Sequence, residues 1–263
     1  QRKNDGIFLV YDIGGGTLDV ALAESISGRV NLLAHGGIAM CGGRDFDRIL
    51  FDNIVKPWLV DNFSLPDDLS TNPQYKSLLK MATWAAEKAK IELSQREEVV
   101  ISLPETELGV RDTAGEEIYI DITVNRKDFD ALIAPKIDES IQATRETLEK
   151  AGLSPHDVER VVFVGGPAQY KPLRDKVAFE LGISPSTEVN PMTAVAEGAA
   201  VFAESIDWKS QGRGRKSSKG ALSAGGTLDL SFNYIARTPE ARARIVAKLG
   251  NSPQAGMEFQ IDS

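Results

Sequence analysis

A run of strand-forming apolar residues, Ile7 to Ile13 (IFLVYDI), stops abruptly on Gly14, Gly15 and Gly16, and alternation resumes from Thr17 to Glu24 (TLDVALAE). Two period-two runs joined by residues without side chains read as a β-hairpin with a glycine tip. The pair Ser27-Gly28 makes another turn before Arg29 to Leu33, so the chain opens as a three-stranded meander.

The tip carries chemistry. Bare backbone at Gly14, Gly15 and Gly16 lets N–H groups approach phosphate oxygens directly. Asp12 and Asp19 flank it, and carboxylates there repel a phosphate unless a hard cation stands between them. Their natural role is to hold Mg²⁺, its waters, or a monovalent cation, while Thr17 donates to phosphate or orients an attacking water. The plainer alternative is a glycine-rich hairpin with ordinary turn aspartates. A dinucleotide fingerprint is excluded, because the glycines lead into a strand and Asp19 stands where its last glycine belongs. No GxxxxGK[ST] occurs, which excludes P-loop chemistry.

Beyond the meander the pattern is mixed α/β. A helix capped by Asp45 is expected to Leu59, with Phe46, Ile49, Leu50, Ile54 and Val55 on one face, and residues 61 to 73 read as a loop. A long helix is expected from Gln74 to Ser94, then strands at Val99 to Leu103 and Ile118 to Val124 around a turn at Thr113 to Glu116. Asn125 caps a helix that Gly152 stops after Lys150; a buried strand at Arg160 to Val164 ends on Gly165-Gly166. Helices follow at Lys171 to Leu181 and from Pro191 to Ala203. Residues 205 to 226, rich in Gly, Ser, Lys and Arg, read as a linker. Residues 227 to 263 read as the start of a β-rich domain, with strands at Leu228 to Ile235 and Met257 to Asp262, and Pro239 to Leu249 open between helix and strand.

Composition excludes several classes. The chain's net charge is −8, yet residues 205 to 263 hold nine Lys/Arg against five Asp/Glu, a balance of +4 that leaves −12 for residues 1 to 204. An acidic body argues against nucleic acid as the principal ligand. No apolar run approaches a membrane span. A single cysteine, Cys41, cannot form an internal disulfide and reads as a small buried residue, which makes a cytoplasmic home the default. His35 and His156 lie far from Cys41 in sequence, leaving little support for a soft-metal site; His156 serves only a turn. A start on Gln1, six residues before a hydrophobic strand, is what a segment cut from a longer chain would show.

Five segments occur in an order and spacing that resemble the DnaK-type 70 kDa heat-shock chaperone family: FLVYDIGGGTLDVALAE, CGGRDFDRIL, AAEKAKIELS, VVFVGGPAQYKPLRDKV and NPMTAVAEGAA. The resemblance covers residues 7 to 203. It implies an actin-like (ribonuclease H-like) ATPase fold and places these segments in its second lobe. The lobe's core subdomain would be residues 1–41 and 134–204, with an inserted α+β subdomain at 42–133. By the same resemblance, Asp12 to Asp19 is the second phosphate loop, with Gly14, Gly15, Gly16 and Thr17 on phosphate and Asp12 and Asp19 toward metal. Gly43, Gly165, Gly166 and Gln169 border the nucleotide, and Glu87, Lys90 and Ser94 on one helix face contact ribose and adenine. Taken alone, Glu87 and Lys90 would be a solvated helical pair. The implied ligands are ATP or ADP, Mg²⁺ and K⁺, and the implied partners are a first lobe, client polypeptides and co-chaperones.

Three positions depart from the family. Ile91 and Gln169 stand where better-known members carry arginines that sandwich the adenine, and Met192 replaces an acidic residue. Each lost guanidinium stack is worth about 0.5–2 kcal/mol. The stretch read as a linker is basic where the family's is acidic and leucine-rich. The family's first phosphate loop and catalytic lysine have no counterpart, so Thr17, Asp12 and Asp19 are expected to be insufficient for ATP hydrolysis alone. A nucleotide-sensing pseudo-ATPase scaffold is a second expectation. A small-molecule kinase or filament protein on the same scaffold is a third.

Overall fold

The computed structural model describes residues 5–26, 29–186, 188–205, 219–224, 230–235 and 245–249. The meander forms as strands β1 (Gly6–Ile13), β2 (Thr17–Ile26) and β3 (Arg29–Ala39), the last running well past the expected Leu33. Helix α1 (Gly43–Leu50), one π-helical turn (Phe51–Val55) and helix α2 (Lys56–Asn62) replace the single helix expected to Leu59. A 3₁₀ turn at Pro73–Tyr75 leads into α3 (Lys76–Leu93). Next come β4 (Glu98–Leu103), the short α4 (Glu105–Leu108) that the sequence did not announce, β5 (Ile120–Asn125) and α5 (Arg126–Lys150). The chain continues through β6 (Val158–Val164), α6 (Lys171–Leu181) and α7 (Ala194–Ser205).

The meander and β6 make one mixed sheet in the order β3-β2-β1-β6, with β6 parallel to β1, and β4 and β5 form a separate antiparallel pair. Alternation decides which side is covered. Leu9, Tyr11 and Ile13 of β1 and Leu18, Val20 and Leu22 of β2 are at most 1% exposed, and they share a core with Ile133, Ile137, Ile141 and Leu148 of α5. Tyr11 carries a hydroxyl into that core and donates it to Ser140 Oγ at 2.5 Å, and Ser140 donates on to the Ile137 carbonyl. A buried hydroxyl left without a partner would cost about 1–3 kcal/mol. Gly36 bears on why β3 extends past Leu33. A Cβ there would stand 2.2 Å from Thr147 Oγ1, so α5 lies directly on β3 where the strand has no side chain.

Two helix starts differ from expectation. Gly42, not Asp45, is the N-cap of α1; Asp45 sits three residues later and accepts the Gly42 N–H at 2.9 Å, the reciprocal half of a capping box. Helix α7 begins at Ala194 rather than at Pro191, because Asn190 Oδ1 accepts the Met192 N–H at 3.0 Å and holds a turn there.

The chain divides into two compact units, Gln1–Gly198 and Ala199–Ser263. In the second, β7 (Lys219–Ala224), β8 (Leu230–Ile235) and β9 (Ile245–Leu249) form an antiparallel sheet in that order. Strand β7 falls inside the stretch read as a linker; its pairing from Lys219↔Ile235 to Ala224↔Leu230 is a partner's contribution that local composition cannot announce. The open segment 239–249 ends as strand. The expected strand at Met257 to Asp262 and the Ser27-Gly28 turn lie outside the described residues.

Candidate functional site

Register puts the glycine tip at the carboxyl ends of the parallel pair, where open α/β sheets place their ligands. Asp12 pairs with Asp19 across the hairpin and with Val164 on β6, one residue before Gly165. Within the tip, the Gly14 N–H donates to the Thr17 carbonyl at 2.9 Å. The three glycine carbonyls are also engaged: Gly14 accepts from Gly43 N–H (3.0 Å), Gly15 from Arg44 N–H (2.8 Å) and Gly16 from Met40 N–H (2.9 Å). The tip therefore satisfies amides at the start of α1 that a helix N-terminus otherwise leaves orphaned. The Gly15 and Gly16 amides make no backbone hydrogen bond among the described residues, and they are the donors left for a ligand.

Two glycines make this packing possible. A Cβ on Gly42 would lie 2.6 Å from both the Gly14 oxygen and the Gly16 nitrogen. Gly165 has φ +91°, and a Cβ there would lie 2.0 Å from the Ile13 carbonyl and 3.2 Å from Asp12 Oδ1. Gly165 thus serves to let β6 close on the end of β1.

Beside the tip lies a cavity of about 390 Å³. Gly15, Gly43, Glu87, Lys90, Ser94, Gly166 and Gln169 line it, drawn from four separated segments, together with Ile91 and Met192. Its wall also includes Arg44, Asp47, Phe129, Pro167 and Tyr170, none of which was singled out as a site residue from sequence. Arg44, Asp47 and Tyr170 do lie within the quoted segments CGGRDFDRIL and VVFVGGPAQYKPLRDKV. Phe129, at the start of α5, gives no local signal; it packs edge-on to Tyr170 with ring centroids 5.7 Å apart. Tyr170 donates its hydroxyl to Asp130 Oδ1 at 2.5 Å, which fixes that wall. Burial, then the Asp130 hydrogen bond and charge, hold the Tyr170 phenol far above its ordinary range.

Charges in the cavity are unequal in freedom. Lys90 Nζ lies 2.6 Å from Asp47 Oδ1 and donates to the Gly43 carbonyl at 3.1 Å, so this ammonium is spent on joining α3 to α1. Burial pushes the Asp47 carboxyl up, opposed by the hydrogen bond and charge of Lys90, with Glu87 and Asp45 adding to the rise. Glu87 is exposed and its oxygens are available. Ser94 gives its proton to the Ile91 carbonyl at 2.6 Å and keeps its lone pairs.

Asp12, Gly14, Gly16, Thr17, Asp19 and Gly165 are not in this cavity's wall. Thr17 and Asp19 border a second hollow of about 450 Å³ with Gly36, Gly37 and Lys150. Thr17 Oγ1 donates to Asp19 Oδ2 at 3.2 Å. Burial first, then the Asp19 charge, raises the Asp12 carboxyl above its usual range. Two carboxylates directly opposed across a hairpin repel each other, and a shared cation would remove that repulsion. Among the described residues no group of three or more His, Cys, Asp or Glu could cage a metal. Two oxygens suit Mg²⁺, which keeps most of its waters and is completed by phosphates.

Among the described residues no helix is long and apolar enough to cross a membrane. The family model for the Hsp70 protein, a family of ATP-binding chaperones, matches residues 1–210. A match over that much of the 263 residues, on a mixed α/β unit whose glycine tip and cavity adjoin, settles the relationship: the chain belongs to the Hsp70 protein family.

Proposed function

We propose that the unit up to about residue 204 is the second lobe of an actin-like, ATP-binding chaperone domain, and that its cavity holds the nucleoside of ATP or ADP. The observation that carries this is convergence: glycines 15, 43 and 166, Glu87, Lys90, Ser94 and Gln169 meet in one cavity beside two free loop amides. A cavity of about 390 Å³ is of nucleoside size, within the range of small-molecule sites. The sheet β3-β2-β1-β6 with α5 and α6 makes the core subdomain, and α1 to β5 the inserted one.

In this reading the Gly15 and Gly16 amides bind the phosphate tail, Glu87 and Ser94 accept from the ribose and base, and Lys90 braces the wall through Asp47. Asp12 and Asp19 hold Mg²⁺ through its waters, and Thr17 orients the attacking water or donates to phosphate. Mg²⁺ would neutralise phosphate charge. Phosphoryl transfer needs charge stabilisation from both sides of the phosphate, so hydrolysis requires groups supplied by an opposing first lobe. Lobe closure would then drive a client-binding domain and engage co-chaperones. The single cysteine, buried and free, suits a reducing, cytoplasmic compartment.

Calorimetric titration with Mg-ADP and Mg-ATP tests the reading. Binding to the chain that is abolished by Gly15→Val is expected; affinity unchanged by that substitution would remove the phosphate loop from the site. Ile91, Gln169 and Met192 favour a second reading, a nucleotide sensor without turnover, because none supplies a cation at the base end. Phosphate release when the lobe is paired with a first lobe supports the ATPase, and tight binding without release supports the sensor.

A further inference from the structure

The cavity's charged wall is made of Arg44, Asp47, Glu87 and Lys90. Lys90 is committed to Asp47 and to the Gly43 carbonyl. With that pair neutralised and Glu87 at the ribose and base, Arg44 is the charge of the cavity wall left for a phosphate tail. Arg44 is placed to meet it. Its backbone is fixed to the loop through the 2.8 Å bond to the Gly15 carbonyl. Its side chain then folds along the loop's open side: the Cβ position of Gly15 lies 3.5 Å from Nε and 3.8 Å from Nη2, and that of Gly16 lies 3.6 Å from Nη2. The guanidinium is exposed and has no ion pair or side-chain hydrogen bond among the described residues. A free guanidinium beside a loop with two free amides offers planar donors that match phosphate geometry.

Resting on the nucleotide reading above, we infer that Arg44 is a specificity-determining residue that clamps the phosphate tail from the α1 side. Binding free energy is thereby concentrated at the diphosphate end. The base end is left to Ile91, Gln169, Met192 and the ring of Tyr170, which discriminate weakly among bases.

The test is calorimetry on the whole chain with Mg-ADP and with adenosine, for wild type, Arg44→Ala, Arg44→Lys and Arg48→Ala, at two salt concentrations. Arg44→Ala should weaken Mg-ADP by roughly 10- to 100-fold, the range for a charged hydrogen-bonded contact, while adenosine changes by no more than about twofold. Arg44→Lys should recover part of the loss and steepen the salt dependence, since lysine acts as a point charge. Arg48, one turn on and paired with Asp52 at the surface, should be silent. Equal losses for Mg-ADP and adenosine, or no loss for Mg-ADP, would overturn the clamp while leaving the nucleotide site in place. Wild type that binds neither ligand would overturn the nucleotide reading itself, and the clamp with it.

Discussion

Gly42→Ala isolates the contact between the glycine tip and α1. Residue 42 has φ −158° and ψ −171°, extended backbone that alanine adopts without strain, so the whole effect must come from the added methyl. That methyl would stand 2.6 Å from the Gly14 oxygen, 2.6 Å from the Gly16 nitrogen and 2.7 Å from the Gly15 carbonyl carbon. These are backbone atoms with no rotamer to give way. Restoring an ordinary 3.4 Å contact demands that tip and helix start separate by about 0.8 Å. Such a shift stretches the three hydrogen bonds from residues 40, 43 and 44. Overpacking of this kind costs about 1–3 kcal/mol, which for a unit of this size lowers Tm by several degrees. Displacing the free amides by most of an ångström should weaken Mg-ADP by roughly 10- to 100-fold. The assay is thermal unfolding by circular dichroism beside calorimetry, with Gly198→Ala as control. Gly198 is helical with nothing within 4 Å of its Cβ position, and alanine there should hold or raise Tm. A Gly42→Ala protein with wild-type Tm and wild-type Mg-ADP affinity would refute the claim that α1 is built on the tip.

Removing one member of the Asp47–Lys90 pair should be worse than removing both. Asp47→Ala leaves a mostly buried ammonium with only the Gly43 carbonyl and should cost about 3 kcal/mol in urea unfolding, whereas Asp47→Ala with Lys90→Met should recover much of it; additive losses would refute the coupling. Asp12→Asn should raise Tm, because it removes a like-charge cross-strand pair worth about 0.2–1 kcal/mol, and should lower the Mg²⁺ dependence of nucleotide binding. A drop in Tm would show that Asp19 does not oppose it. Cys41 is fully buried, and burial with the Glu139 charge pushes its thiol up to about 11 from an ordinary 9.0. Because the unfolded thiol loses its proton first, this group destabilises the fold as pH rises from 9 to 11 and contributes nothing below that window. The urea midpoint should fall across that range in wild type more than in Cys41→Ala, and iodoacetamide should label the folded chain slowly at pH 8.

What could be read from sequence was what neighbouring residues decide. The hairpin announced itself because Leu9, Tyr11 and Ile13 alternate up to a glycine stop, and α6 ran from Lys171 to Leu181 as expected because Pro172 and Gly182 bracket it. The Asp47–Lys90 pair was invisible, since it exists only where α1 packs on α3 and each residue alone looks like a solvated charge. Gly36 and Gly37 lie past Leu33, where the strand was expected to end, yet they continue β3, and α5 lies on the bare backbone of Gly36 beneath Thr147. Strand β7 (KGALSA) carries no β-branched or aromatic residue, and its pairing with β8 makes it a strand. In the cavity, residues inside the quoted segments were accessible to sequence reasoning, and Phe129 was not, because the helix that carries it also carries most of the sheet's packing.

The hydrogen bonds that tie the tip's carbonyls to residues 40, 43 and 44 have a kinetic meaning as well. A peptide plane in that tip cannot flip without breaking a bond to residue 40, 43 or 44. If the tip binds phosphate as proposed, its receptor is finished when the chain folds, and arrival of a ligand needs no search through loop conformers. Association should be limited by diffusion and desolvation rather than by ordering, so selectivity must be expressed in how long a nucleotide stays.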